Sequence, residues 1–289
     1  MTKLRLLLPV LVLILYSCNP KKINIVLPDP EARSVFGSDK LAETLAQQGY
    51  KCYTYIDSNP TTKGPMIYIE TASVSPDTLP SEGYSIQKTG RGIEIKGNDA
   101  TGTLYGCLEL SDRIKEAGKL PRVIKVTDKP SMVLRGAAIG LQKPELLPGR
   151  HVYEYPVTPE NFPWFYDRDL WTRYLDLLVE NRMNSLYIWN GHPFASLVKL
   201  EDYPYAVEVD EATFEKNREM FAFITEEADK RGIWVIQMFY NIIVSQPFAE
   251  HNNLATQQRS RGIIPVISDY TRKSVAAFIE NYPNVGLMV

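Results

Sequence analysis

From Met132 to Val289, short apolar runs alternate with longer stretches in which apolar residues recur every three or four positions. The short runs are Met132–Ile139, Ser185–Trp189, Ile233–Phe239 and Val285–Val289, and their β-branched and aromatic content predicts strands. The first is nearly continuous in apolar residues, which predicts a strand buried on both sides, as in a parallel sheet covered by helices. The longer stretches predict helices. One covers about Asp167 to Asn181, carrying Leu170, Trp171, Tyr174, Leu177 and Leu178. The next runs from about Glu211 to Arg231, carrying Phe214, Met220, Phe221, Phe223 and Ile224, and Gly232 stops it. The last covers about Tyr270 to Asn281. A long loop, Gly140 to about Tyr166, separates the first strand from the first helix.

The preceding segment has a different rhythm. Ile23–Leu27 reads as a strand, then Ser38 caps a helix carrying Leu41 and Leu45 that ends at Gly49. Strands follow at about Cys52–Ile56 and Met66–Glu70. Tyr84–Lys88 and Gly92–Lys96 alternate apolar and polar residues around Thr89-Gly90-Arg91, a hairpin with one buried face. Asn98-Asp99 then opens a helix from Thr101 to about Ala117, and Arg122–Val126 closes the domain. Lys129-Pro130 marks the boundary. The chain therefore divides into 19–128, a small α/β sandwich with helices on one face, and 129–289, a β/α repeat with a parallel sheet. Four strands are half of an eight-stranded (β/α)8 TIM barrel, a fold that carries its chemistry on the loops after the strands. The general prediction is an α/β chain in which a small domain precedes the first half of such a barrel.

The start of the chain adds a location. Lys3 and Arg5 precede the apolar run Leu6–Leu15, too short to span a bilayer, which reads as a secretory signal. It ends in Leu15-Tyr16-Ser17-Cys18, which resembles the bacterial lipobox and implies that Cys18 is lipidated and becomes the first mature residue. The expectation is a lipid-anchored protein of the bacterial cell envelope, with residues 1–18 as its signal segment. Losing Lys3 and Arg5 would take the net charge from −2 to −4. No basic patch interleaved with aromatics points to nucleic acid. Cys52 and Cys107 are expected as free thiols, and His151, His192 and His251 are too scattered for a metal site. No cofactor is expected.

Three stretches carry a family resemblance. Gly92-Ile93-Glu94-Ile95-Lys96-Gly97-Asn98-Asp99-Ala100-Thr101-Gly102-Thr103-Leu104-Tyr105-Gly106 resembles the accessory domain that precedes the barrel in family 20 hexosaminidases and family 67 α-glucuronidases: a strand, an Asn-Asp turn, and a helix whose small residues let it sit close to the sheet. Asn181–Asn190 resembles the run from the first barrel helix into the second strand, and Ala228–Ile236 the entry into the third. The resemblance implies an exported glycoside hydrolase acting on a polysaccharide or oligosaccharide, with an accessory domain of structural role. It also places the general acid after the fourth strand, beyond Val289, so that 1–289 alone is expected to be inactive. The departures are the missing carboxylates at Gly140–Pro144 and Gln237–Asn241. A non-catalytic carbohydrate-binding lipoprotein is the alternative.

Glycoside hydrolysis generally uses two carboxyl groups flanking the scissile bond, and no such pair can be named. Glu145, Glu154, Glu160 and Asp167 lie in the first loop and read better as solvated charges or a helix cap. Trp189-Asn190-Gly191-His192 follows the second strand: Trp189 can stack on a sugar while Asn190 and His192 bond its hydroxyls, or Trp189 can pack in the barrel wall. Tyr240 and Asn241 follow the third strand, and Gln237 is a candidate to point inward. Arg135 either meets a substrate group at the barrel mouth or pairs at its bottom, and its place early in the strand favours the bottom. His151, Tyr153, Tyr155, Trp164 and Tyr166 form either a sugar platform or the long loop's own core.

Overall fold

The computed structural model describes residues 21–58, 60–61, 63–71, 81–143, 145, 155–282 and 284–289. The first domain is a six-stranded mixed sheet built from β1 (Lys21–Leu27), β2 (Tyr50–Ile56), β3 (Met66–Thr71), β4 (Tyr84–Lys88), β5 (Ile93–Gly97) and β6 (Lys125–Asp128), in the order β2-β1-β3-β5-β4-β6. The strands from β2 to β5 in that order pair parallel, and β4 pairs antiparallel with both β5 and β6. Two helices, α1 (Ala32–Gln47) and α2 (Ala100–Ala117), pack on each other and on the sheet. Ile23, Ile25, Leu27, Ile67, Ile69, Ile86, Ile93 and Ile95 face them and are buried. The Tyr84–Lys88 hairpin forms as its alternation predicts.

Small residues at the end of β5 and the start of α2 let the helix sit close to the sheet, as the resemblance implies. A Cβ on Gly97 would lie 2.0 Å from the Thr103 backbone nitrogen, and one on Gly102 would lie 2.2 Å from the Gly83 carbonyl oxygen. Asp99 caps the helix, its Oδ1 accepting from the Gly102 N–H at 2.7 Å. Gly118 ends it in the left-handed conformation, φ 66°. α1 begins earlier than Ser38 suggests. Its N-terminus is a capping box in which Glu31 and Ser34 satisfy each other's backbone N–H groups, so Ser38 lies inside the helix. The last strand also slides, from Arg122–Val126 to Lys125–Asp128.

The second domain has four parallel strands in chain order: β7 (Gly136–Gly140), β8 (Ser185–Trp189), β9 (Trp234–Met238) and β10 (Val285–Met288). Between them run α3 (Arg168–Glu180), the short α4 (Phe194–Leu197), α5 (Glu211–Lys230), the short α6 (Gln246–His251) and α7 (Pro265–Asn281). Aligned residues of parallel strands share a face. Leu186, Ile188 and Val235 join a core with Trp171, Leu175, Phe221, Ile224 and Phe278 of the helices. The other face carries Tyr187, Trp189, Trp234, Ile236 and Met238. Trp234 is 61% exposed there. The first strand is shorter than predicted and not buried on both sides: Met132, Val133 and Leu134 stay exposed, because the sheet ends at β7 and nothing described pairs beyond it.

Polar groups join the two domains. Arg33 of α1 donates to the Asp229 backbone and pairs with its carboxylate at 2.6 Å, and it donates to Thr101 Oγ1 at 2.8 Å. Lys40 of α1 meets Asp176 of α3 at 2.9 Å, and Arg231 takes the other oxygen of Asp176 at 2.6 Å and Glu227 at 2.7 Å. Arg231 is 3% exposed and lies over the Phe36 ring of α1. Glu82, held in the left-handed conformation at φ 61°, bridges Arg135 at 2.8 Å and Asn184 at 2.9 Å. Asn184 also accepts from the Arg135 N–H and donates to the Val133 carbonyl, tying the roots of β7 and β8 to the first domain.

Candidate functional site

The carboxyl ends of β7, β8 and β9 lie side by side, with Gly140, Trp189 and Met238 in register. A Cβ on Gly140 would stand 3.5 Å from the Trp189 ring, an ordinary contact distance, so the indole lies against the end of β7. Tyr240 meets Trp189 edge-on at 5.7 Å and is 44% exposed. The pair makes a half-exposed aromatic corner, with one ring able to offer a face to a flat ligand.

Asn190 and His192 sit behind that corner. Asn190 is buried: its Nδ2 donates to the Tyr155 carbonyl at 3.2 Å and its Oδ1 accepts from the His192 N–H at 2.9 Å. It braces the long first loop against the loop after β8. His192 is also buried, with Nε2 2.9 Å from the Tyr270 hydroxyl. These two residues therefore shape the site from below, while Trp189 and Tyr240 face it. Gln237 turns the other way. It aligns with Ile188 on the helix-facing side of the sheet, is fully buried, and donates to the Ile188 and Met238 carbonyls at 2.9 Å each. It does not point into the barrel, because period-two alternation gives that face to Ile236 and Met238. Arg135 lies at the opposite end of the sheet. Glu82, Tyr105 Oη and the Arg182 and Met132 carbonyls engage it there, the bottom-pairing arrangement its place in the strand favours.

Asn241 is exposed and lines a cleft of about 460 Å³ with Arg261, Ile264, Ser268, Thr271 and Arg272. Arg261 donates through Nη2 to the Ala255 carbonyl, while its Nε and Nη1 are buried and have no partner among the described residues. Burial lowers its pKa. Two unsatisfied guanidinium donors beside a cleft are suited to a carboxylate or a pair of hydroxyls. Nothing in the local sequence singles Arg261 out, since it follows Gln258, Arg259 and Ser260 in a polar stretch without periodicity.

The first-loop candidates separate clearly. Asp167 caps α3 through the Leu170 N–H at 2.9 Å, and Glu145 and Glu160 are exposed. Glu154, His151 and Tyr153 lie outside the described residues, as does Cys18. Tyr155 is buried against Phe162, and Tyr166 bonds Asn217, so the described aromatics of this loop form its core. Cys52 and Cys107 are free. Among the described residues no group of three or more His, Cys, Asp or Glu could hold a metal, and no helix is long and apolar enough to cross a membrane.

A small α/β domain clamped to consecutive strands of a parallel β/α barrel is an architecture of glycoside hydrolases. Residues 19–129 match the pattern of glycosyl hydrolase family 20, domain 2. Across 92% of its length the chain resembles a GH138 enzyme targeting pectin rhamnogalacturonan II, at 54% identity and TM-score 0.85, covering 30% of that protein. Two further structures share the fold. Flavobacterium johnsoniae chitobiase does so at 18% identity and TM-score 0.58, over 93% of this chain and 41% of that one. Streptomyces plicatus β-hexosaminidase, solved with GlcNAc, does so at 16% identity and TM-score 0.55, over 91% of this chain and 54% of that one. The chain thus spans between 30% and 54% of the length of these structures. No curated protein matches it.

Proposed function

We propose that this chain is the N-terminal part of an exported, lipid-anchored glycoside hydrolase that acts on pectin-type carbohydrate. The supporting observation is the 54% identity, over nearly the whole chain, to a GH138 enzyme that targets rhamnogalacturonan II. In this reading Trp189 and Tyr240 stack on a sugar, and Asn241 and Arg261 contact its polar groups. Pectin is rich in uronic acids, whose carboxylates suit the free donors of Arg261. The carboxylates that cleave the bond come from chain beyond Val289. The test is an assay of the complete protein on rhamnogalacturonan II fragments and, in parallel, on chitin oligosaccharides. Cleavage of the pectic fragments alone is expected; cleavage of chitin oligosaccharides alone would overturn the substrate class.

A second reading is a carbohydrate-binding lipoprotein without catalysis. It draws on the residues that end β7, β8 and β9 (Leu141 and Gln142, Asn190, then Phe239, Tyr240 and Asn241), none of which is a carboxylate. Tight binding of pectic oligosaccharides by the complete protein with no release of reducing ends would favour it.

A further inference from the structure

The first domain has a strongly basic end that the carbohydrate site does not use. Lys21 and Lys22 begin β1, and Lys51 of β2 stands in register with Lys22. Lys63 joins Lys21 and Lys22 around a cleft of about 460 Å³ whose other walls are Ile23, Tyr50, Gly64, Pro65 and Leu120. Lys119 is next in chain to Leu120, whose N–H donates to the Tyr50 hydroxyl at 3.1 Å. All of these lysines are exposed. No carboxylate lines the cleft. Among the described residues none of them is in an ion pair, in contrast to Lys40, Lys96, Lys199 and Lys273. A chain of net charge −2 therefore concentrates free positive charge at one end of one sheet.

The same end is where the chain enters the fold. Asn19 and Pro20 alone separate Cys18 from Lys21. Three residues span at most ~10 Å, about the distance over which surface charge is felt at physiological salt. An acyl group on Cys18 would hold these lysines at the headgroups of a bilayer.

We propose that Lys21, Lys22, Lys51, Lys63 and Lys119 form a docking face for anionic phospholipid headgroups, which seats the first domain on the membrane beside its anchor. Lysines beside such an anchor add an electrostatic attraction to anionic headgroups, about 1 kcal/mol for each residue near the surface. The half-buried Tyr50 and Leu120 give the face an apolar centre between the charges. The proposal rests on the reading of Cys18 as lipidated for its biological setting, so its test uses the complete protein begun at Asn19, which carries no lipid.

The measurement is co-sedimentation with vesicles. The unlipidated chain is expected to pellet with vesicles of equal parts phosphatidylglycerol and phosphatidylcholine at low salt, to be released at about 0.5 M salt, and to ignore pure phosphatidylcholine. Lys21→Glu/Lys22→Glu/Lys63→Glu should weaken the partition at least about tenfold. Lys63→Gln/Lys119→Gln, which leaves the strands untouched, should weaken it about threefold with unchanged circular dichroism. Lys216→Glu, in the second domain, should have no effect. Failure of the unlipidated chain to bind at low salt, equal binding to neutral vesicles, or unchanged binding by the Lys63/Lys119 variant would overturn the proposal. Mass spectrometry of Cys18 from the membrane fraction tests the anchor separately, and an unmodified Cys18 would remove the anchor without touching the vesicle result.

Discussion

The two domains use similar materials and reach different degrees of closure. The first has six strands, two covering helices and a core in which the inward isoleucines are almost wholly buried. The second has four strands with a well-packed helix face, but Trp234 stays 61% exposed on the other face and Val133 87% exposed beside β7. A mixed sheet with helices on one side is finished by local pairing. A barrel sheet needs a partner for each edge, and its inner face is dry only when the ring closes. The second domain leans on the first through Arg33, Lys40 and Glu82, and through Arg231 stacked on the Phe36 ring.

The sharpest way to break this comparison is to cut the support. Arg231→Ala removes the buried cation that packs on Phe36 of α1 and leaves Asp176 to Lys40 and Glu227 to Lys230, a change worth about 1–3 kcal/mol. Chemical denaturation should then become biphasic, with the second domain melting first. A single unchanged transition would mean that the second domain does not depend on the interface. Hydrogen exchange makes the same comparison without a mutation. Amides of β1, β3 and β5 should exchange at least about a hundredfold more slowly than those of β7 and β10. Equal protection would defeat the contrast.

Smaller effects separate the two kinds of residue at the candidate site. Asn190→Ala removes a buried brace and should cost about 1–3 kcal/mol of stability in the second domain. Trp189→Ala should leave the melting point nearly unchanged and instead weaken carbohydrate binding by the complete protein, by about 1–3 kcal/mol if a stacking contact is lost. Unchanged affinity, read by calorimetry, would move the sugar elsewhere.

The smallest effect is a dependence on pH. Hydrogen bonds from Lys273, Tyr203 and Arg272 hold the Asp269 carboxyl well below its usual range. Its contribution to stability is therefore present above about pH 4 and lost as pH falls through the lower folded value. Asp202 and Asp269 hold Lys273 above its ordinary range, so its share is present below about pH 10 and lost as pH rises through the raised value. The near-ultraviolet signal of Tyr203, Tyr205 and Tyr270 should stay flat across neutral pH and erode at both ends. Erosion across neutral pH would show that the Asp269–Lys273 pair does not govern this cluster.

Periodicity made most of the architecture legible. Ser185–Trp189 and the hairpin strand Tyr84–Lys88 stand where their patterns place them, and α5 matches its predicted span to a residue. Three boundaries moved, each for its own reason. Ser38 looks like a cap, but Glu31 and Ser34 supply one to each other. Met132–Leu134 looks like strand, but an apolar run becomes strand only where a neighbour pairs with it. The start of α7 slid to Pro265, a residue whose fixed φ suits the first helical turn. At the site, Trp189 at the end of β8 and Tyr240 in the loop after β9 are readable because strand ends are. The inward or outward aim of Gln237 depends on register with β8, and the free donors of Arg261 depend on a fold-specific cleft, so neither has a local signal.

The place of β1 has a mechanical consequence. It is the second strand of its sheet, paired in parallel with β2 from Lys21 to Leu27 and with β3 on its other side. A pull on the residues before Lys21 acts along the strand, so it shears the β2 and β3 ladders together and does not peel them bond by bond. A protein tugged by a long polymer at one end and held at the other would yield last at its point of attachment. In single-molecule stretching between the N-terminus and Val289, the second domain should extend before β1 leaves its sheet; the reverse order would show that the tether strand is the weak point.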